Sequence, residues 1–177
     1  MKVRWAFVLV AAVTTLSGCN KSDSSVTTQN RYSEYVRLHV KGGWGFDGDI
    51  WIRSDDTYLV RHYLANSGEL TEERSGMRAG AFAGIIGLAD ERGAWSLSTS
   101  SLDDEARIFK YEEWTDLDDV TVEIQSAGRH FIATFQQSPP LVDHPPMVVP
   151  QDAKRLHAFW ALESAIRAET GTGESDS

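Results

Sequence analysis

Tyr35-Val36-Arg37-Leu38-His39-Val40 is the stretch that decides the fold. Val36, Leu38 and Val40 alternate with Tyr35, Arg37 and His39. A period of two puts the three aliphatic side chains on one face of a strand and the polar ones on the other. The pattern recurs downstream. Asp49 to Ser54 sets Ile50 and Ile52 against Trp51 and Arg53, and Thr57 to Leu64 sets Tyr58, Val60, His62 and Leu64 on one side. Short turn signals separate these runs: the glycine-rich Lys41 to Gly48, then Ser54-Asp55-Asp56, then Asn66-Ser67-Gly68. Strands joined by tight turns pair antiparallel. Glu69 to Gly76 is polar throughout and fits a short edge strand or a loop equally well.

Further along the chain the period changes. Met77 to Arg92 is predicted helical, with Met77, Ala81, Ile85 and Leu88 on one face and Gly93 as the stop. Gly80, Gly84 and Gly87 each cost a helix about 1 kcal/mol relative to alanine. Close contact with the sheet is the expected compensation. Trp95 and Leu97 suggest a brief return strand, Ser98 to Glu105 a polar loop, and Arg107 to Tyr111 another strand. Val120, Val122 and Ile124 alternate, Ala127-Gly128 turns the chain, and Arg129 to Gln136 completes a hairpin. Five prolines between Pro139 and Pro150 exclude regular structure there. Gln151 to Glu169 is predicted to close the domain as a helix, with Leu156, Phe159, Trp160, Leu162 and Ile166 on its apolar side. The fold class that follows is α+β, an antiparallel β-sheet with two helices packed on one face in two layers.

The front of the chain has a different composition. Lys2 and Arg4 precede an apolar run from Trp5 to Leu16, and Leu16-Ser17-Gly18-Cys19 follows. This is the layout of a secretory signal peptide, and a dozen apolar residues fall short of the ~20 that span a bilayer. The four residues ending in Cys19, the only cysteine of the chain, resemble the lipobox of bacterial lipoproteins. The resemblance implies removal of residues 1–18 and lipidation of Cys19, with two or more acyl chains giving a stable anchor. Asn20 at the next position leans, by the same likeness, toward an outer membrane facing the periplasm in a Gram-negative host. Residues 19–31, small and polar, read as a tether. Residues 32–169 are the single domain and 170–177 a polar tail.

Charge narrows the functional classes. The 177-residue chain carries a net charge of −9. Loss of the leader with its two cations takes that to −11. Such a balance disfavours nucleic acid and anionic lipid headgroups as partners. With the lone cysteine used for lipid, no disulfide holds the domain, and core packing must suffice.

Chemistry-bearing patterns are sparse. Lys41-Gly42-Gly43-Trp44-Gly45-Phe46 lacks the glycine spacing and Lys-Ser/Thr of a phosphate loop. It reads either as a bulged turn or as a rigid loop presenting Trp44 and Phe46 to a partner. Acidic residues gather at Asp103, Asp104 and Glu105, at Glu112 and Glu113, and at Asp116, Asp118 and Asp119. Solvated loop charges are the expected reading. Acid–base work by Asp116 and Asp118 is the sharper one. The five histidines have no metal-ligand spacing, although His39 and His62 are candidates to face one another across neighbouring strands. No G-x-S-x-G occurs, and nothing calls for a metal or cofactor.

With these elements in order, the domain resembles emfourin, the family of protealysin inhibitors. The likeness rests on Gly42-Gly43-Trp44-Gly45 after the first strand, Ile85-Ile86-Gly87-Leu88, Ile108-Phe109-Lys110-Tyr111, the hairpin through His130 and the proline entry to the last helix. Ser54-Asp55-Asp56 and the stretch from Glu112 to Asp119 depart from the family pattern. The resemblance implies a non-catalytic domain that restrains a metallopeptidase, and no inhibitory residue is carried over from it; the glycine-rich loop itself, with Gly42, Gly43, Trp44 and Phe46, is the expected partner-binding surface. A cell-wall or carbohydrate contact through Trp44, Trp51 and Trp114 is the alternative expectation. A hydrolase is the third.

Overall fold

A computed structural model describes residues 34–42, 47–65, 67–109, 118–136 and 151–172, all within one unit, Arg31–Ser177. Six strands, β1 (Tyr35–Lys41), β2 (Gly48–Arg53), β3 (Thr57–Tyr63), β4 (Leu70–Met77), β5 (Asp119–Ser126) and β6 (Arg129–Gln136), form one antiparallel sheet. The spatial order is β4-β3-β2-β1-β5-β6. Three helices, α1 (Ala81–Glu91), α2 (Thr99–Ile108) and α3 (Lys154–Thr170), and a 3-10 turn at Ala94–Ser96 complete it. The α+β antiparallel architecture is the one the alternation dictates.

The core is one-sided. Val36, Leu38 and Val40 of β1, Ile50 and Ile52 of β2, Val60 of β3, and Val120, Val122 and Ile124 of β5 are all fully buried. They pack against Phe82 and Ile85 of α1, Leu102 of α2, and Leu156, Phe159, Leu162 and Ile166 of α3. Alternate residues face away from the helices and are half-buried by one another. A sheet with one packed and one open face gives this in–out alternation.

Two helix starts are capped from elsewhere in the chain. Asp56, in the left-handed region at φ 62°, ends the β2–β3 turn. Its carboxylate accepts from the Gly80 N–H at 2.8 Å and the Phe82 N–H at 3.1 Å, closing the N-terminus of α1. Glu105 of α2, buried, accepts from the Leu156 N–H at 2.8 Å and does the same for α3. Carboxylates there satisfy orphan donors and complement the helix dipole. At the other end of α3, the Arg74 guanidinium donates to the Thr170 carbonyl at 2.8 Å.

Four expectations are corrected. Among the described residues the helices number three, because residues 99–108 form α2 where a polar loop and a strand were expected; Ser98 caps it, exchanging side-chain and backbone bonds with Ser101. Trp95 lies in a 3-10 turn instead of a return strand, stacked under the Arg129 guanidinium. Met77 ends β4, and α1 starts at Ala81 after Gly80 at φ 81°. Gly84 and Gly87 have no atom within 4 Å of where a Cβ would sit, so close packing does not compensate their cost. The open question at residues 69–76 resolves as a strand. The proline stretch lies outside the described residues.

Candidate functional site

The open face carries the densest polar organisation among the described residues. Arg37 stands at its centre on β1, with β2 on one side and β5 on the other. Its Nε donates to Asp49 Oδ1 at 2.8 Å, and an Nη lies 2.7 Å from the same oxygen. Another Nη sits 4.0 Å from Glu123. The guanidinium also lies 4.9 Å from the centre of the Trp51 ring, its directly opposed neighbour, within cation–π range.

The network extends both ways. His39 Nδ1 is 3.1 Å from Asp49 Oδ1. The Tyr35 hydroxyl donates to Glu123 Oε1 at 2.8 Å, and His130 Nε2 lies 3.1 Å from that oxygen. Tyr35 and Trp51 meet with ring centres 5.2 Å apart. His39, Asp49, Arg37, Glu123 and His130 thus form a continuous stripe across β2, β1, β5 and β6. The carboxylates of Asp49 and Glu123 keep only 13% and 17% of their exposure, whereas Arg37 keeps 30%. Burial, then the bond to Glu123, pushes the Tyr35 phenol up to about 12. It therefore stays a protonated donor at physiological pH.

This arrangement fixes charge and aromatic surface in place on the open side of the sheet. Register explains its construction. Directly opposed residues share a face, so Arg37↔Trp51, Arg37↔Glu123 and His39↔Asp49 all fall together.

The residues singled out by sequence fare differently. Gly42 follows β1 at φ 83°, exposed, with open space where a Cβ would lie. Gly43, Trp44 and Phe46, as well as Cys19, Trp114, Asp116, Glu112, Glu113 and His144, lie outside the described residues. Trp51 stands on the open face. His39 and His62 do not meet: β2 runs between their strands, His39 is opposite Asp49 on the open face, and His62 is opposite Gly48 on the packed face. A hydrolase built on that pair is excluded by this geometry. The acidic residues at 103–105 are on α2, not in a loop. Asp104 pairs with Arg107, and Glu105 caps α3.

Asp118, expected as a solvated loop charge, is not one. It is buried, with one carboxylate oxygen lacking a hydrogen bond. Burial raises its pKa above the ordinary value, Asp47 and Asp119 add to the rise, and Arg167 opposes it. It precedes β5 at the end of the sheet where β1 passes into Gly42. Among the described residues no cluster of His, Cys, Asp and Glu could hold a metal ion, and no helix is long and apolar enough to cross a membrane. Compared with known proteins, the chain matches no family model and no curated protein.

Proposed function

We propose that this chain is a lipid-anchored envelope protein whose domain binds another protein and performs no chemistry of its own. The observation that carries the reading is Arg37, clamped by Asp49, neighboured by Glu123 and laid on Trp51. Arginine and tryptophan dominate the energy of protein interfaces. Side chains already held in place by their own neighbours lose little freedom when a partner arrives. The leader that ends in Leu16-Ser17-Gly18-Cys19 supports the anchor, and the likeness to emfourin makes a thermolysin-like metallopeptidase the first partner class to test.

Tagged wild-type chain, and Arg37→Ala and Trp51→Ala variants, would be used to capture partners from detergent-solubilised envelopes. The reading expects a protein held by wild type and lost by both variants. Equal retention by both would overturn the role of the open face. For the peptidase version, equimolar chain is expected to abolish activity of a susceptible thermolysin-like enzyme; full activity across a panel overturns it. Replacement of Cys19 by serine is expected to release the chain from the membrane fraction.

A carbohydrate or peptidoglycan contact is the second reading. It is favoured by Trp51 standing beside hydrogen-bonding carboxylates on the same surface. Co-sedimentation with purified sacculi separates the two.

A further inference from the structure

The two edges of the sheet are treated differently. At β6, the Thr134 N–H donates to Thr99 Oγ1 of α2 at 2.9 Å, and the Gln136 carbonyl accepts from Trp160 Nε1 of α3 at 3.0 Å. That edge is covered. At β4, no described residue pairs with the outer side, and seven of its eight residues are exposed. A free strand of this length is a template for a further strand.

We propose that β4 pairs with β4 of a second copy of this chain, across a two-fold axis centred on Glu73. Two observations lead there. The first is hydrogen-bond phase. The Arg78 N–H bonds to the Asp56 carbonyl at 3.0 Å, and the register continues as Tyr58↔Gly76, Val60↔Arg74 and His62↔Glu72. In an antiparallel ladder, bonded pairs alternate with unbonded ones. Residues 72, 74 and 76 therefore bond to β3, and Glu73 and Ser75 direct their N–H and C=O groups to the free edge; Thr71 lies at the bulge where the register passes from His62↔Glu72 to Tyr63↔Leu70. A two-fold at Glu73 brings Glu73 opposite Glu73 with their backbone groups facing each other, and sets Ser75 across from Thr71 at the bulge of the second copy.

The second observation is charge. In this register Glu72 falls opposite Arg74 of the other copy, twice, on the same face of the joined sheet. Among the described residues Glu72 has no ion-pair partner. Arg74 has donors to spare beyond its bond to Thr170. Moving the axis by one residue either way loses this pairing and sets Glu72 against Glu72 or Arg74 against Arg74. The two Glu73 carboxylates at the centre are each offset by their own Arg61, at 2.8 Å. The pairing extends the sheet to twelve strands and leaves the open face of both copies free.

The test uses the full chain with single cysteines placed on β4, in detergent-solubilised envelopes under mild oxidation. At the two-fold, Glu73→Cys places two Cα atoms about 5.5 Å apart, the spacing of a bonded pair and within disulfide reach. Thr71→Cys or Ser75→Cys alone places the thiols about 13 Å apart, four residues out of register. The expected result is a covalent dimer from Glu73→Cys, above the background set by wild type with its single Cys19. No dimer is expected from Thr71→Cys or Ser75→Cys alone, and one reappears when these two chains are co-expressed. Sedimentation of the detergent-solubilised wild type is expected to give twice the chain mass. A Glu73→Cys yield no higher than wild type, equal yields from all three single variants, or a monomeric wild type overturns the proposal; strand addition by a different protein would give the first of these.

Discussion

Asp118 shows how a single residue ties stability to pH. Its carboxylate is buried, and one oxygen has no hydrogen bond. Desolvation disfavours the charged form, and the negative charges of Asp47 and Asp119 add to that; Arg167 only partly offsets them. The folded-state pKa is therefore raised above the unfolded value. A group shifted this way favours the fold fully below its unfolded pKa, and that contribution is lost as pH rises through the folded pKa. At pH above the unfolded value, the raised pKa of Asp118 therefore works against the fold. Asp118→Asn is expected to melt higher than wild type at pH 7, with the advantage shrinking as pH falls toward the ordinary carboxylate value of about 3.9. Thermal melts of both proteins over that range check this. A variant that melts lower than wild type at pH 7 would mean that the charge, through Arg167, is a net support. The neighbouring contrast is Glu105. It is also buried, but it spends its charge on the Leu156 N–H, and its place in the fold is explained.

At the scale of the element, α1 carries a cost that its surroundings do not offset. Gly84 and Gly87 are exposed, lie in an ordinary helical backbone and have nothing within 4 Å of the position a Cβ would take. Nothing in the structure explains them. Gly84→Ala and Gly87→Ala are each expected to stabilise the domain by about 1 kcal/mol, through the lower backbone entropy cost of alanine in a helix. Urea unfolding of each variant measures this; a loss of stability in either would show that the glycine meets a neighbour after all. Other elements differ in how plainly the sequence announced them. β1, β2, β3, β5 and β6 were legible because each alternates, and alternation is what a one-sided sheet requires. β4 was ambiguous because both its faces are polar: a strand that buries no apolar side chain leaves no hydrophobic period to read. α2 was hidden by Ile108, Phe109 and Tyr111, whose spacing imitates a strand. The better signal was Ser98 followed three residues on by Ser101, a cap whose side chains bond reciprocally to the backbone. The candidate site was half legible. Alternation put Arg37 and Trp51 off the core face, but the approach of Glu123 depends on β5 joining β1 from 88 residues away along the chain, as the Tyr35–Glu123 bond records. No local pattern encodes that choice of neighbour.

At the scale of the whole molecule, the strand order concentrates stability in the middle. β1 is first in sequence among the strands yet lies inside the sheet, between β2 and β5, and its three core side chains are fully buried. Its hydrogen bonds can open only if both neighbours part. β4 has one neighbour, and Gly76 beneath the Tyr58 ring is its sole residue that is not exposed. β6 is also an edge, but α2 and α3 each place a side-chain bond on it. Local opening follows burial and the number of bonded neighbours. In dilute protein, where two copies rarely meet, amide exchange is therefore expected to be slowest in β1, with β2 and β5 close behind. β6 should follow, and the β3-bonded amides of β4 should be fastest. The gap between β1 and β4 should be on the order of a hundredfold or more. Hydrogen exchange followed by mass spectrometry or NMR resolves the order. Protection in β4 equal to that in β1 at the lowest usable concentration would show that the sheet opens as one unit, with its free edge no weaker than its centre.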